Sequence, residues 1–213
     1  MKYLIFGDVH GNIIALEKLK KHFFNKVDII ICHGDVVNYG PWSNECVDLL
    51  SSEDIICLKG NHEDAYLKGF YPGKNNLVKQ FFSTTFKSFE KIDIIKSYGV
   101  EYENDLIKVV HTVNNKYYYP DSDLENFSIK KNLIIGHSHY PFIRKINEHN
   151  FVNTGSVGQN RKDISLINSI IYDSKKNNFE LIEIKYDAKK IINEMEVRSY
   201  PIDCINYYKE KLK

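Results

Sequence analysis

Two short stretches of this 213-residue chain each place two chemically capable side chains one residue apart. They are Asp8 and His10 in FGDVHG, and His137 and His139 in IIGHSHY, and each follows an apolar run. On extended backbone, residues i and i+2 point the same way, so one short stretch can bring two donors to one point. The same pattern recurs elsewhere: Asp35 follows DIIICHG, Asn61 and His62 follow CLKG, and His111 follows LIKVV. Asp8, His10, Asp35, Asn61, His111, His137 and His139 are hard-to-borderline oxygen and nitrogen donors, suited to divalent Mn, Fe, Zn and similar ions. Two carboxylates with several imidazoles exceed what one tetrahedral ion uses. They suit a pair of ions sharing a bridging carboxylate.

Taken singly, each residue has a plainer role. Asp8, Asp35 and Asn61 fit turns after strands, and lone histidines are more often surface groups or satisfied core groups than ligands. Five apolar runs that each end in Asp, Asn or His make that plain reading poor when taken jointly. In open α/β sheets ligands bind beyond the carboxyl ends of the strands, so these residues are expected to converge. Glycines at 7, 11, 34, 60 and 136 are expected to permit the sharp turns and close backbone approach needed there.

The elements that must position the donors follow from hydrophobic spacing. Strands are expected over 2–6, 28–33, 54–59, 106–110, 132–136, 142–146, 168–173 and 179–186. Helices are expected over 13–24, where Asn12 can cap the start, over 43–50, and over 76–96 with a break at 84–88. Two short ones, 189–197 and 205–212, close the chain. No Pro/Gly/Ser linker, low-complexity tract or repeat interrupts it, so a single domain over 1–213 is expected. Strands alternating with helices predict an α/β sandwich, sheet in the middle and helices outside.

Composition narrows the function classes. A net charge of +1 and a pI near 7.7 give no electrostatic case for nucleic acid or a membrane surface as partner. Cys32, Cys46, Cys57 and Cys204 form no CxxC pair and read as buried free thiols. The start MKYLIFGD is too short an apolar run for a signal peptide, and no run approaches a membrane span, so a cytoplasmic location is expected.

The order D-x-H, G-D, G-N-H-E, a lone His, then G-H-x-H resembles the signature of the calcineurin-like metallophosphoesterases. It is most similar to the small YfcE-like prokaryotic phosphodiesterases, through GDVVNYGPWSNE and NTGSVGQNR. The resemblance implies a four-layer α/β/β/α sandwich of two mixed sheets flanked by helices. It also implies hydrolysis of a small or nucleotide-type phosphate ester by a hydroxide bridging two divalent transition-metal ions. One ion would be held by Asp8, His10, Asp35 and His139, the other by Asp35, Asn61, His111 and His137. Manganese is the first expectation for both, with Fe, Ni, Zn or Co as alternatives. His62 resembles the histidine that contacts phosphate or protonates the leaving group, with helix capping as its alternative.

The chain departs from the family pattern in two places. Many relatives read G-D-x-x-D-R-G, where the second Asp orients the histidine and the Arg binds phosphate. Here Asn38 and Tyr39 stand in those places and are expected to contact substrate. Many relatives also have H-G-S-P where this chain has HTVN at 111–114. The run KYYYPD, 116–121, either lines the pocket and stacks on a nucleoside base or packs on the core or a subunit interface. Asn153 and Arg161 either contact ligand or shape the wall behind His137 and His139. A homo-oligomer is left open. Two rival readings are a non-catalytic scaffold of the same fold, against which the complete donor set speaks, and a nuclease, against which the near-neutral charge speaks.

Overall fold

The computed structural model describes the whole chain, Met1–Lys213. Its strands are β1 (Lys2–Phe6), β2 (Ile29–Cys32), β3 (Ile56–Cys57), β4 (Glu101–Glu103), β5 (Ile107–Val110), β6 (Asn132–Ile135), β7 (Phe142–Ile146), β8 (His149–Asn153), β9 (Leu166–Asp173) and β10 (Asn178–Lys185). The helices are α1 (Ile13–Phe23), α2 (Ser43–Ser51), α3 (Asn61–Lys68), α4 (Asn76–Thr85), α5 (Ile92–Ser97), α6 (Lys189–Val197) and α7 (Ile202–Lys209). Two five-stranded mixed sheets result, in the orders β10-β9-β1-β2-β3 and β4-β5-β6-β8-β7.

Register explains how the strand ends come together. In the first sheet β1, β2 and β3 run parallel, with Phe6 opposite Cys32 and Cys32 opposite Cys57. The turns carrying Asp8, Asp35 and Asn61 therefore leave side by side. In the second sheet β5, β6 and β8 are parallel, which does the same for His111, His137 and the 153–160 segment. Strand β1 is buried on both faces, as a near-continuous apolar run in a parallel pair must be. Ile5, Ile31 and Ile170 meet Val109, Ile134 and Val152 between the sheets. Leu4, Phe6, Ile30 and Cys32 face the other way, into a core with residues from all seven helices, among them Leu16, Val47, Tyr66, Phe81, Ile95, Ile191 and Ile205.

The expected sandwich of two mixed sheets with flanking helices is present, with one refinement. The outer face of the second sheet is covered by a loop, whose Tyr118, Leu124 and Phe127 pack on Leu133, Phe142 and Phe151. Other elements differ from expectation for local reasons. The third strand is two residues long rather than spanning 54–59, because Leu58 makes only an isolated bridge to Gly99. The helix α3, unexpected from the sequence, begins at Asn61 itself and ends on left-handed Gly69. The 76–96 region, by contrast, divides near 84–88 as expected, into α4, a 3₁₀ turn at Phe86–Ser88 and α5. The last helix starts at Ile202, with Pro201 at its cap, not at 205. All four cysteines are free, and no helix is long and apolar enough to cross a membrane.

Asn12 links these layers. Its Oδ1 accepts from the Ala15 amide at 3.1 Å, capping α1, while Nδ2 donates to the Gly158 carbonyl at 3.1 Å and the Tyr186 hydroxyl at 2.7 Å. Removing a cap costs about 1 kcal/mol, and stranding two buried acceptors adds about as much again or more. Asn12→Ala is therefore expected to lose about 2–3 kcal/mol, read from the urea midpoint at unchanged slope. A loss below about 0.5 kcal/mol would refute the linking role.

Candidate functional site

The turns beyond β1, β2, β3, β5 and β6 meet at one end of the sandwich. The His137 amide donates to Asp8 Oδ2 at 2.9 Å, and His111 Nδ1 donates to the His33 carbonyl at 3.2 Å, joining the two sheets. Asp8, His10, Asp35, His111, His137 and His139 are all buried, and Asn61 is half-buried. Donor atoms of Asp8, His10 and His139 lie within 4.8 Å of one another, as do those of Asp35, His111 and His137. Asn61 Oδ1 sits 3.1 Å from His111 Nε2. Asp35 stands between the two groups, with Oδ2 3.1 Å from His111 Nε2 and 4.0 Å from His10 Nε2. The structure thus brings all seven expected donors together.

Backbone carbonyls aim the rings. His10 Nδ1 faces the Val37 carbonyl at 3.3 Å, His139 Nδ1 the Gln159 carbonyl at 2.8 Å, and His111 Nδ1 the His33 carbonyl. A carbonyl only accepts, so each Nδ1 carries the proton and each Nε2 turns a lone pair inward. His10 Nε2 and His139 Nε2 then lie 3.2 Å apart, as do His111 Nε2 and His137 Nδ1. Asp8 Oδ1 and Asp35 Oδ2 are buried in the same space without a donor. Lone pairs facing lone pairs and anionic oxygens make a site that a cation fits.

The titration behaviour agrees. Burial alone would raise the Asp8 carboxyl, but His139, His111 and His33 outweigh it and hold it below its usual value. Asp35 is likewise depressed despite burial, by His111, His62 and His10. Burial lowers His10, helped by His139, and burial with His111 lowers His137 to about 4, so these rings stay neutral donors. His111 goes the other way: burial would lower it, but Asp35 and Asp8 raise it to about 9. Where no larger cation sits, His111 Nε2 therefore takes a proton, the smallest cation this cluster can attract, on the lone pair it would otherwise offer a metal.

The local backbone is bent to achieve this. Asp8, His10, Asp35, His137 and His139 all have left-handed φ, between 49° and 69°. Such conformations are costly for residues other than glycine and cluster where surrounding structure overrides the cost. Of the two roles expected of the glycines, Gly136, whose φ is not left-handed, serves the second. A Cβ there would overlap the His33 ring and the Asp8 carboxylate, so the need is close approach rather than a turn. His33 itself was not singled out among the candidates. It is fully buried, its Nε2 lies 2.7 Å from Thr154 Oγ1, and it forms a third cluster with Asp8 and His111. The available sign was an imidazole closing the apolar run DIIIC.

Two more side chains organise the Asp35 turn. Glu63, fully buried, accepts from the Val36 and Val37 amides on Oε1 at 2.7 and 3.2 Å. Its Oε2 accepts from the Asp35 and Gly60 amides, both at 2.7 Å. Asn38, expected to touch substrate, is fully buried behind His62 instead. Its Oδ1 accepts from the Tyr39 amide at 2.8 Å and from Thr85 Oγ1 at 3.1 Å, so Nδ2 is the donor to His62 Nδ1 at 2.8 Å. A neutral His62 then carries its proton on Nε2, which lies 3.9 Å from Asp35 Oδ2. Burial keeps that ring below its ordinary pKa.

A cleft of about 140 Å³ opens over Asp35, Asn61, His62, His137 and His139. Its walls include Tyr39, Tyr71, Tyr117, Tyr207 and Arg161, with Asn75, Leu77 and Val78. Tyr117 stacks on His137 with centroids 4.1 Å apart, so the tyrosine run divides: Tyr117 borders the site, and Tyr118 packs into the core. Tyr71 lies parallel to His62 at 5.9 Å.

The family model for calcineurin-like phosphoesterase matches residues 1–168. An uncharacterized protein of Methanocaldococcus jannaschii is 27% identical over 214 residues, spanning 87% of this chain and 88% of its own length. A metallophosphoesterase from Sphaerobacter thermophilus superposes with a TM-score of 0.84 at 22% identity, covering 100% of this chain and 99% of its own. YfcE, a phosphoesterase from Escherichia coli, gives a TM-score of 0.52 at 15% identity, over 88% of this chain and 100% of its own. These structural likenesses establish the fold.

Glu63 offers the sharpest test of how the Asp35 turn is held. In Glu63→Gln one oxygen remains and an NH₂ faces two amide donors. The expected loss is about 2–4 kcal/mol, measured by chemical denaturation. A variant as stable as the parent would refute the four-amide clamp.

Proposed function

The chain belongs to the calcineurin-like phosphoesterase family and is a metal-dependent phosphoesterase, and we propose that it hydrolyses a small or nucleotide-type phosphate ester at a dinuclear centre. The observation that carries this reading is the pair of donorless buried oxygens, Asp8 Oδ1 and Asp35 Oδ2, facing inward-turned imidazole nitrogens. We assign Asp8, His10, Asp35 and His139 to one ion, and Asp35, Asn61, His111 and His137 to the other. The donor set suits Mn first, then Fe, Ni, Zn or Co. When bound, such a pair supplies an activated water at neutral pH and offsets charge on the phosphoryl oxygens.

The protein's own groups do the rest. The cleft, at about 140 Å³, has room for a phosphoryl group, leaving the ester substituent outside along Tyr71 and Tyr117. His62 borders that cleft and turns its Nε2 proton toward the interior, because Asn38 occupies Nδ1. That arrangement makes His62 a hydrogen-bond donor to the leaving oxygen, steadying the charge that develops there. The two sheets each supply part of the site, so the chain works as one domain. Its four free thiols suit a reducing cytoplasm.

A panel of chromogenic and nucleotide esters, assayed with several added metals, tests the reading against Asp35→Asn. Loss of the shared carboxylate is expected to lower kcat by roughly 10³-fold or more and to leave fewer than two ions per chain by elemental analysis. Wild type and Asp35→Asn equally inactive under every metal would end the enzyme reading. His62→Ala is expected to slow esters of poor leaving groups by roughly 10²-fold while sparing activated phenyl esters. Equal losses on both would remove the hydrogen-bonding role at the leaving oxygen.

A further inference from the structure

Arg161 is the only cationic side chain among the residues that line the cleft, histidines aside. Half-buried there, it has no carboxylate within 4.0 Å. Its partners are phenols. Nη1 donates to the Tyr207 hydroxyl, the guanidinium carbon lies 6.0 Å from that ring's centroid, and the Tyr39 hydroxyl is a second neighbour. Both phenols are pushed up by burial and stay neutral, so neither balances the charge. A guanidinium drawn partly out of water without an anion is costly, and its planar fork matches phosphate oxygens.

The segment that delivers Arg161 is rigidly tied to the donor cluster. The Gly158 amide donates to the Asp8 carbonyl at 3.0 Å, and the Gln159 carbonyl is the one that aims His139. Asn160 Nδ2 reaches Asn168 Oδ1 at 2.6 Å, and Lys211 Nζ donates to the Arg161 carbonyl at 3.3 Å. The fork is thus held at a set position over the site.

Resting on the phosphoesterase reading above, we propose that Arg161 is the substrate-phosphate anchor and selects phosphomonoesters, or terminal phosphates, over phosphodiesters. Asp8 and Asp35 offset only half of the charge that two divalent ions bring, and Arg161 adds one more positive charge. A monoester dianion answers that surplus better than a diester monoanion. A diester also has one oxygen fewer for the fork, and a second substituent to fit within about 140 Å³.

Two substrates with the same leaving group isolate the effect: p-nitrophenyl phosphate and bis(p-nitrophenyl) phosphate, with metal-loaded protein. Arg161→Gln is expected to lower kcat/KM for the monoester roughly 10- to 100-fold, chiefly through KM, and for the diester by less than about 3-fold. Tyr207→Phe, which frees the fork without removing its charge, is expected to show a smaller loss of the same kind. Orthophosphate binding, measured by calorimetry on the same proteins, is expected to weaken roughly 10-fold in Arg161→Gln and to recover partly in Arg161→Lys. Equal losses on both esters, or orthophosphate affinity unchanged by Arg161→Gln, would overturn the proposal. A wild-type protein that splits neither ester yet binds orthophosphate through Arg161 would end the phosphoesterase reading while upholding the anion site.

Discussion

Two buried carboxylates at the junction of two sheets govern this structure. Asp8 and Asp35 each spend one oxygen on a backbone amide, from His137 and His62 respectively, and each leaves the other oxygen without a donor. An uncompensated carboxylate in such a place costs several kcal/mol. The protein does not relieve it with a lysine or arginine, which would end the problem. It surrounds the oxygens with imidazoles whose outer nitrogens are committed to carbonyls, so that the inner ones also present lone pairs. The resulting repulsion is a stored demand for positive charge, and left-handed backbone at five of the donors is part of what sustains it.

The sandwich topology makes that demand possible. Parallel strands in each sheet direct their carboxyl ends the same way, and the sheets share an apolar interface. Asp8, His10, Asp35 and Asn61 come from the first sheet, and His111, His137 and His139 from the second. Neither sheet holds a complete donor set. The amide-laden Glu63 ties together the turns after β2 and β3, and the close approach of Gly136 to His33 brings the two halves near each other. Their effect is confined to the turns, which explains why the strands themselves are regular.

The donors were legible in the sequence because their types and their position after apolar runs are both one-dimensional facts. Asp8 after YLIF and His137 after NLII needed no knowledge of tertiary contacts. Short strands were only partly legible: the apolar run at 54–59 marked β3 but not its two-residue length, and β4 and β8, absent from the expected strands, exist because of their neighbours. The helix α3 was obscured because its first turn is the donor-bearing Gly60-Asn61-His62 motif itself, although Glu63 and Asp64 early and Gly69 at its end are ordinary helix punctuation. The backbone strain was invisible for a different reason. Glycine is the residue that advertises left-handed φ, and here Asp8 and His137 adopt it beside Gly7 and Gly136, which do not.

Asn38 and Tyr39 show where reading a motif position by position stops short. Each replaces a residue the family pattern leads one to expect, and as isolated substitutions they look like losses. In three dimensions Asn38 still occupies His62 Nδ1, but as an amide it adds no charge, leaving a neutral ring with its proton on the far nitrogen. Tyr39 sits where an arginine is expected, and its hydroxyl meets Arg161, which arrives from the segment after β8. The cleft therefore keeps a guanidinium while changing the loop that supplies it, and the tyrosine becomes part of its support. What a cleft retains is a charge at a place, and any rigid segment that reaches the place can carry it.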